Sequence, residues 1–429
     1  MKLSAKLPPL PPLTGALSSD TGAGRSMRAA EATGEKARRL FDELNLFRTP
    51  RYPPWRVARY RPFQHAIALL AMVYLLPVAG LPARRVTGKP LIVQAAEMLR
   101  LWFQQRVDPP SYYAQELYET ARMPLVKGYL TRFETKNGLF ASLNRARPSP
   151  FQRHELNDKD FFAEFCTTQG LPHARTLARI SPGTCEWFLP REEITHDLFC
   201  KPQKGLGAKG TAVFRAAGPD QFINEAGEVI TLAGVEKALQ GMGTTMLVQR
   251  RLTNHPAIAD MARDSLLTVR VITCRNERDE PEVCLAMLRL LAVLERDRSD
   301  LPDGEYATPI QLETGVLGML AGDDMKSSPF RSAVHPATGR VIAGRVLPEW
   351  DAVKALALKL HGALPHRVVV GWDIAVTPDG PVVLEGNSNF DVMFLQRVQH
   401  VPASETRFGE LLSYHLEALA RQRRGGEKA

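Results

Sequence analysis

Residues Val368–Asn389 read VVVGWDIAVTPDGPVVLEGNSN and consist of two apolar runs around the short polar segment TPDGP. Pro378 suits the second position of a turn, and Gly380 can adopt the left-handed backbone conformation. The pattern predicts a β-hairpin whose loop is formed by Pro378, Asp379 and Gly380. A hairpin fixes which side chains of its two strands face each other, so this stretch determines the local chemistry.

The predicted hairpin places three oxygen-bearing side chains on one face. Asp373 lies directly opposite Glu385, and Asn387 emerges two residues later on the same face. Two facing carboxylates repel each other, and a divalent cation relieves the conflict. Because Mg²⁺ prefers hard oxygen ligands, Asp373, Glu385 and Asn387 are predicted to form a metal site. A solvated acidic face of the hairpin is the alternative interpretation.

A second informative stretch is glycine-rich. FCKPQKGLGAKGTAVFR (Phe199–Arg215) carries Gly205, Gly207 and Gly210 in G-x-G-x-x-G spacing, after an apolar strand that contains Lys201. A dinucleotide fingerprint needs a helix after the glycines, a P-loop needs G-K-[S/T], and a protein kinase needs H-R-D and D-F-G. None of these contexts occurs. We therefore predict a glycine-rich flap between antiparallel strands that covers phosphates, with an ordinary flexible hairpin as the alternative.

Two further strands carry unusual side chains. LLTVRVIT places Arg270 in the middle of an apolar run, where a buried guanidinium needs an anionic partner. Phosphate suits its planar fork, and a structural salt bridge is the alternative. TMLVQRRLTNHP ends a predicted strand at Gln249 and turns away at Pro256.

In order along the chain, these motifs resemble the ATP-grasp superfamily. The order is NDK before a helix, a strand lysine, a glycine-rich flap, a hinge strand, an arginine strand and finally D-x₁₁-E-x-N. QRRLTNHPAIAD with SLLTVRVIT, and GWDIAVTPDGPVVLEGN, most resemble the branch called sugar-transfer-associated ATP-grasp. DPPSYYAQELYE (Asp108–Glu119) is similar to the helical lead-in of that branch. The resemblance extends from about Asp108 to Gln396.

The resemblance implies an α+β fold in which two subdomains grip ATP after a helical N-terminal region. The expected divisions of the chain are a disordered basic leader (1–45), the helical region (46–150), the small subdomain with the flap (151–252), the C-terminal subdomain with the Mg²⁺ site (253–415) and a basic tail (416–429).

The resemblance also implies a role for each matching residue. Lys159 and Lys201 would contact the ATP phosphates or the adenine edge, and Gly205, Gly207 and Gly210 would form the flap. Gln249 and Arg250 would lie in the adenine hinge, and Asn254 or His255 would contact the ribose. Arg270 would hold the γ-phosphate, and one or two Mg²⁺ would be bound by Asp373, Glu385 and Asn387. Arg270 and Lys201 are the expected catalytic residues, and Mn²⁺ is an alternative ion. Many relatives carry an acidic residue in the hinge, where this chain has Gln249, Arg250 and Arg251.

The implied activity is that of an ATP- and Mg²⁺-dependent ligase that joins a carboxylate to an amine or a thiol through an acyl phosphate. Two alternatives stay open: an ATP-dependent phosphotransferase acting on a hydroxyl or a sugar-linked acceptor, and a membrane-associated protein that binds ATP without turnover. The expected partners are small-molecule co-substrates.

Charge and cysteine content exclude other classes. The net charge is +9, but residues 1–64 alone contain twelve basic and five acidic residues, so the remaining chain is nearly neutral. This distribution argues against a nucleic-acid-binding surface on the folded body. The five scattered cysteines include no C-x-x-C pair, which predicts buried thiols in a reducing, cytoplasmic compartment rather than zinc ligands or disulfides.

Two N-terminal segments give further expectations. AIALLAMVYLLPVAGL (Ala66–Leu81) is uncharged, is interrupted by Pro77, and is shorter than the roughly 20 residues of a spanning helix, so a buried core helix is expected. The alternative is a peripheral membrane contact through residues 48–82, with Arg56, Arg59 and Arg61 at lipid headgroups of the inner membrane face. SYYAQELYETARM is expected to form another helix.

Overall fold

A computed structural model describes residues 64–105, 107–131, 135, 139–145, 147–151, 154–203, 210–262, 265–291, 305–322 and 331–426. The predicted leader (1–45), Gly205, Gly207 and the last three residues of the predicted tail lie outside the described residues.

Helices precede, interrupt and follow two sheets. The α-helices of the described residues are α1 Gln64–Leu75, α2 Leu81–Thr87, α3 Leu91–Gln105, α4 Pro109–Ala114, α5 Phe140–Arg145, α6 Lys159–Thr168, α7 Leu232–Gln240, α8 Pro256–Ala259, α9 Trp350–Gly362, α10 Val392–Gln399 and α11 Arg407–Gly426. A π-helical turn at Leu76–Gly80 joins α1 to α2, and 3₁₀ turns lie at Met123–Gly128, Arg191–Glu193 and Ala403–Glu405.

Fourteen strands are described, and they form two seven-stranded antiparallel sheets. The strands are β1 Thr176–Ser181, β2 Thr184–Trp187, β3 Leu198–Pro202, β4 Ala212–Gly218, β5 Gln221–Ile223, β6 Val229–Ile230, β7 Met246–Arg250, β8 Thr268–Arg275, β9 Pro281–Leu291, β10 Glu305–Pro309, β11 Leu320–Gly322, β12 Arg331–Ser332, β13 Val369–Thr377 and β14 Gly380–Asn387. The first sheet has the order β2-β1-β7-β3-β4-β5-β6, and the second has the order β12-β11-β10-β9-β8-β13-β14.

The first sheet is covered by α7 on one face. Leu232, Val235 and Leu239 recur at helical spacing and pack on the sheet residues Ala178, Leu198 and others. Thr231 caps this helix, because its hydroxyl accepts a hydrogen bond from the Gly234 amide at 3.2 Å.

The second sheet is covered on both faces. α6 and α9 pack on one face, and α5, α10 and α11 pack on the other. Strand β13, which lies between β8 and the edge strand β14, is therefore buried along its whole length, which explains its nearly continuous apolar sequence. The two sheets are tied together where the Pro172 carbonyl accepts a hydrogen bond from the Val383 amide at 3.0 Å.

The N-terminal helices form a separate apolar cluster around Met98, Leu101 and four buried tyrosines. Two local expectations for this region were wrong. The helical path is not broken at Pro77, because a wide π turn accommodates the proline and a further helix follows to Thr87. The helix expected in SYYAQELYETARM ends at Ala114, because Gln115 and the left-handed Glu116 (φ 55°) are held by buried tertiary contacts.

Candidate active site

The β13–β14 hairpin brings the three predicted metal ligands together. Asp373 is paired in register with Glu385, so the two carboxyl groups face each other. The Asn387 side-chain amide donates to Glu385 Oε1 at 3.2 Å. Asp373 is buried and the other two side chains are half-buried, so the cluster faces the interior rather than open solvent.

Asp373 and Glu385 lie opposite each other because β14 contains a β-bulge. Thr377 pairs with Gly380, so the turn contains only Pro378 and Asp379, and the predicted three-residue loop was wrong by one residue. Ile374 pairs with Val383, but Asp373 pairs with Glu385, which leaves Leu384 as the extra residue. Without this bulge Leu384 would face Asp373, so the bulge restores the predicted carboxylate pair.

Arg270 faces the same cluster from the neighbouring strand. Its position on β8 is in register with Asp373, and its Nε and Nη2 atoms both donate to that carboxylate, with Nη2 at 2.8 Å from Oδ2. Both side chains are almost fully buried. The anionic partner of Arg270 in this structure is therefore a carboxylate, and its predicted contact with phosphate stays a prediction.

A second arginine, Arg289 on β9, extends the row of charges. Its Nη1 atom lies 3.6 Å from Asp373 Oδ2, and its Nε donates to Glu305 on β10. We did not single out this residue in the sequence. The signal was available, because Arg289 interrupts the apolar run EVCLAMLRLLAV in the same way as Arg270 interrupts its strand.

The acidic pair responds to burial and to these arginines in opposite ways. Burial and the adjacent charge of Asp373 raise the pKa of Glu385 above its usual value. Burial also acts to raise the pKa of Asp373, but the charges and hydrogen bonds of Arg270, with Arg289, hold it below its usual value. Asp373 is therefore the ionised member of the pair, and Glu385 is the member that shares a proton most readily.

Two lysines stand near the cluster, Lys201 on β3 of the first sheet and Lys159 at the beginning of α6. Burial, together with the neighbouring charge of Lys159, lowers the pKa of Lys201 to about 8, and Glu385 and Asp160 partly oppose this shift. Lys159 begins α6, and its Nζ donates to the Pro202 carbonyl at 3.4 Å beside Lys201. The strand lysine, the lysine of NDK and the metal-ligand hairpin therefore share one electrostatic environment.

The strands on either side of the glycine-rich stretch are antiparallel partners, as predicted. Phe199 pairs with Val213 and Cys200 pairs with Ala212. Gly210 precedes β4 with φ +72°, a conformation that favours glycine, and a side chain there would also crowd Pro202.

The predicted hinge lies on β7 and in the segment after it. Gln249 is buried and donates from Nε2 to the Ala174 carbonyl at 2.8 Å, whereas Arg250 is exposed. Asn254 bridges to Ser265 and Leu267. The His255 ring accepts from the Ala257 amide through Nδ1 at 3.1 Å, which leaves Nε2 as the ring atom that would have to reach a ribose.

The residues of the cluster fit the Mg²⁺ and ATP that the motifs imply. Carboxylate and amide oxygens are the donors that Mg²⁺ prefers. The Asp373 carboxylate has about four lone-pair sites, so Arg270 does not exhaust its capacity to accept. The cations Arg270, Arg289 and Lys201 supply the positive charge that a polyphosphate requires.

The solved structures that match this chain include three ligases of low sequence identity. D-alanine–D-alanine ligase from Bacillus anthracis complexed with ATP is 11% identical, with 63% of this chain and 69% of that chain covered and a TM-score of 0.35. VanG D-Ala:D-Ser ligase from Enterococcus faecalis is 13% identical, with 61% of each chain covered and a TM-score of 0.35. D-alanyl-alanine synthetase A from Vibrio cholerae is 12% identical, with 62% of this chain and 65% of that chain covered and a TM-score of 0.36.

The sequence was also compared with curated proteins and with models of protein families. No curated protein matches the sequence. A family model described as sugar-transfer associated ATP-grasp matches residues 142–404, which is more than half of the chain. The match begins after Asp108–Glu119, so that segment and the preceding helices lie outside it. The α+β domain with N-terminal helices before it confirms the predicted fold class, and the chain belongs to the sugar-transfer associated ATP-grasp family.

Proposed function

We propose that this protein is an ATP- and Mg²⁺-dependent ligase that joins a small-molecule carboxylate to an amine or a thiol through an acyl phosphate. The carboxylate oxygen would attack the γ-phosphorus of ATP and ADP would leave. The nucleophile would then attack the acyl carbon and inorganic phosphate would leave, so ATP is consumed as ADP and phosphate.

One observation carries the proposal. Asp373 and Glu385 face each other on the β13–β14 hairpin with Asn387 bonded to Glu385, and Arg270 and Arg289 reach Asp373 from the neighbouring strands, at the junction with Lys201 of the first sheet. Such a junction offers cations for the phosphates and oxygen ligands for a metal in one place. This combination is what transfer of a phosphoryl group requires.

Each residue of the cluster has a proposed task. Asp373, Glu385 and Asn387 would hold Mg²⁺, which neutralises charge on the phosphate oxygens. Lys201 would donate to the phosphates from β3, and Lys159 would add positive charge beside it. Arg270 would exchange one of its two bonds to Asp373 for a bond to the transferring group, because a guanidinium can serve two acceptors at once. Arg289 would keep Asp373 ionised during that exchange.

The proposal is tested by measuring ADP release from the purified full-length protein with a set of carboxylates and amines. Glu385→Gln keeps the size of the side chain but removes the charge, and we expect turnover to fall by about 10²–10³-fold or more. Asp373→Asn should have at least the same effect. Glu280→Gln is the matched control, because Glu280 is exposed and pairs only with the exposed Arg278 in a β-turn.

The products decide the reaction class. A ligase releases inorganic phosphate and forms an amide or a thioester, whereas a phosphotransferase leaves a phosphorylated acceptor. Thermal melts of each variant separate loss of chemistry from loss of folding. Full turnover by folded Glu385→Gln would remove the proposed metal site.

A further inference from the structure

The helix formed by α1, the π turn and α2 is apolar on both of its faces. Its inner face is a stripe of Ala68, Met72, Leu75, Ala79 and Ala83, all buried at helical spacing. Its outer face carries the larger apolar side chains Leu69, Leu70, Val73 and Tyr74, and Leu70 and Val73 are each 70% exposed. A helix that is apolar all round normally has apolar surroundings on every side, so the outer face lacks a cover in the described residues.

The helix α3 continues this exposed apolar surface. Ile92 is 77% exposed and Phe103 is 62% exposed. Phe103 stacks on His65 at the beginning of α1, with ring centroids 5.5 Å apart. The contact joins the end of α3 to the outer face of α1. We call this joint surface, formed by Leu69, Leu70, Val73, Tyr74, Ile92 and Phe103, the N-terminal apolar face.

The charges around the N-terminal apolar face are mostly positive. Between residues 64 and 105 the sequence contains Arg84, Arg85, Lys89 and Arg100, and the single acidic residue is Glu97. Glu97 is already neutralised, because Lys89 Nζ lies 2.9 Å from its carboxylate. In the sequence, the sixteen residues before α1 (48–63) contain five arginines, Arg56, Arg59 and Arg61 among them, and four aromatic residues without any acidic residue, but they lie outside the described residues. Apolar side chains with a basic rim are complementary to an anionic lipid surface.

The helix is also long enough to cross a bilayer, but its packing against the rest of the protein disfavours that arrangement. His65–Thr87 is long and apolar enough to cross a bilayer by length and composition, but one-third of its most apolar window is buried inside the protein. The inner stripe packs on the cluster that contains Tyr112 and Tyr113 of α4. In turn, Ser111 of α4 contacts Met393 of α10 in the catalytic body. A helix held on one side by its own domain can lie in a membrane surface without crossing it.

We propose that the N-terminal apolar face docks on the surface of an anionic phospholipid bilayer and holds the ATP-grasp domain there. The apolar side chains enter the boundary between headgroups and acyl chains, and the arginines contact the lipid phosphates. A second copy of the chain fits this face less well, because pairing two such faces brings their basic rims together.

The test is flotation of the full-length protein with vesicles of phosphatidylcholine containing about one-third phosphatidylglycerol, and with vesicles of phosphatidylcholine alone. We expect flotation with the anionic vesicles and its loss at high salt. Leu70→Gln with Val73→Gln should weaken partitioning roughly tenfold or more, because both side chains lose apolar area that enters the bilayer. Arg84→Gln with Arg85→Gln should weaken it by a similar factor on anionic vesicles only.

The catalytic domain offers a matched control. Val341 and Val346 are 57% and 59% exposed, and Val341→Gln with Val346→Gln removes the same kind of apolar area from a distant surface. This pair should float like the wild type.

Four results would overturn the proposal. The first two are that the wild type does not float with anionic vesicles, or that the Leu70/Val73 variant floats as well as the wild type. The third is that the protein resists carbonate extraction, which means a spanning helix. The fourth is that the wild type is a dimer and that the Leu70/Val73 substitutions dissociate it.

Discussion

Among the residues of the candidate site, Lys201 has the pKa that the fold changes most clearly. It lies half-buried on β3, and both its burial and the neighbouring charge of Lys159 lower its pKa. Both effects favour the neutral amine, so the free protein loses the Lys201 proton as the pH rises through about 8. An anionic ligand acts in the opposite direction, because its charge favours the ammonium form.

Nucleotide binding should therefore take up a proton at Lys201. At pH 8.5 we expect an uptake of roughly 0.5–0.8 protons per ATP, and at pH 7 an uptake of roughly 0.1. Titration calorimetry in two buffers with different ionisation enthalpies measures this number directly. In Lys201→Arg the uptake should disappear, because a guanidinium stays charged at both pH values. Equal uptake by the wild type and by this variant would assign the proton to another group.

Single residues of the site differ in how well the sequence predicts them. Arg270 was conspicuous because a charge stood inside an apolar strand, yet the sequence left phosphate and carboxylate open as its partner. The registers of β8 and β13 decide between them in this structure by placing Asp373 directly opposite. Arg289 had the same signal, and its relevance depends on the order of strands in the sheet, which a sequence pattern does not contain.

At the level of elements, the β13–β14 hairpin brings the predicted pair of carboxylates together although the predicted length of its turn was wrong. The turn is one residue shorter than expected, and the bulge at Leu384 compensates. Long strands with a strong apolar pattern, such as β8 and β13, were predicted. The short strands β1, β2, β5, β6 and β10–β12 were not, because two to six residues of mixed character acquire strand geometry only from their neighbours in the sheet.

Gly386 lies between the two proposed metal ligands of β14, Glu385 and Asn387, and helps to keep them in position. A Cβ atom at Gly386 would lie 2.8 Å from the Trp372 ring and 2.6 Å from Leu156. Gly386→Ala should therefore push β14 away from β13 and destabilise the fold by about 1–3 kcal/mol. The apparent affinity for Mg²⁺ should weaken in the same variant, because Glu385 and Asn387 flank the displaced residue. Urea unfolding and the Mg²⁺ dependence of ADP release measure the two effects.

Gly362, the last residue of α9, is the control for this substitution. A Cβ atom there would meet nothing within 4 Å. Gly362→Ala should change the free energy of unfolding by less than about 1 kcal/mol, and in the stabilising direction. If Gly386→Ala behaved in the same way, the close approach to Trp372 would not be what restricts this position to glycine.

At the level of the whole molecule, the N-terminal helices and the catalytic domain are joined by a buried network of charges. Glu116 follows α4, and its Oε2 atom lies 2.6 Å from Arg331 of β12 and 3.4 Å from Arg122. Arg397 of α10 approaches the other carboxylate oxygen at 3.8 Å and is itself 1% exposed. The network spans the boundary of the family match, so it connects the proposed membrane-docking face to the part of the chain that matches the ATP-grasp family model.

Loss of the Glu116 charge should therefore weaken the whole protein rather than one local contact. Glu116→Gln leaves three arginines around a neutral side chain, and we expect the free energy of unfolding to fall by about 3–5 kcal/mol, because an uncompensated buried charge is costly. Urea denaturation measures this change, and proteolysis between the N-terminal helices and β1 should become faster in the same variant. Glu280→Gln removes an exposed partner of Arg278 and should cost less than about 1 kcal/mol. If both variants lost equally little stability, the helices would be held by their apolar contacts alone, and their attachment to the catalytic domain would not depend on this network.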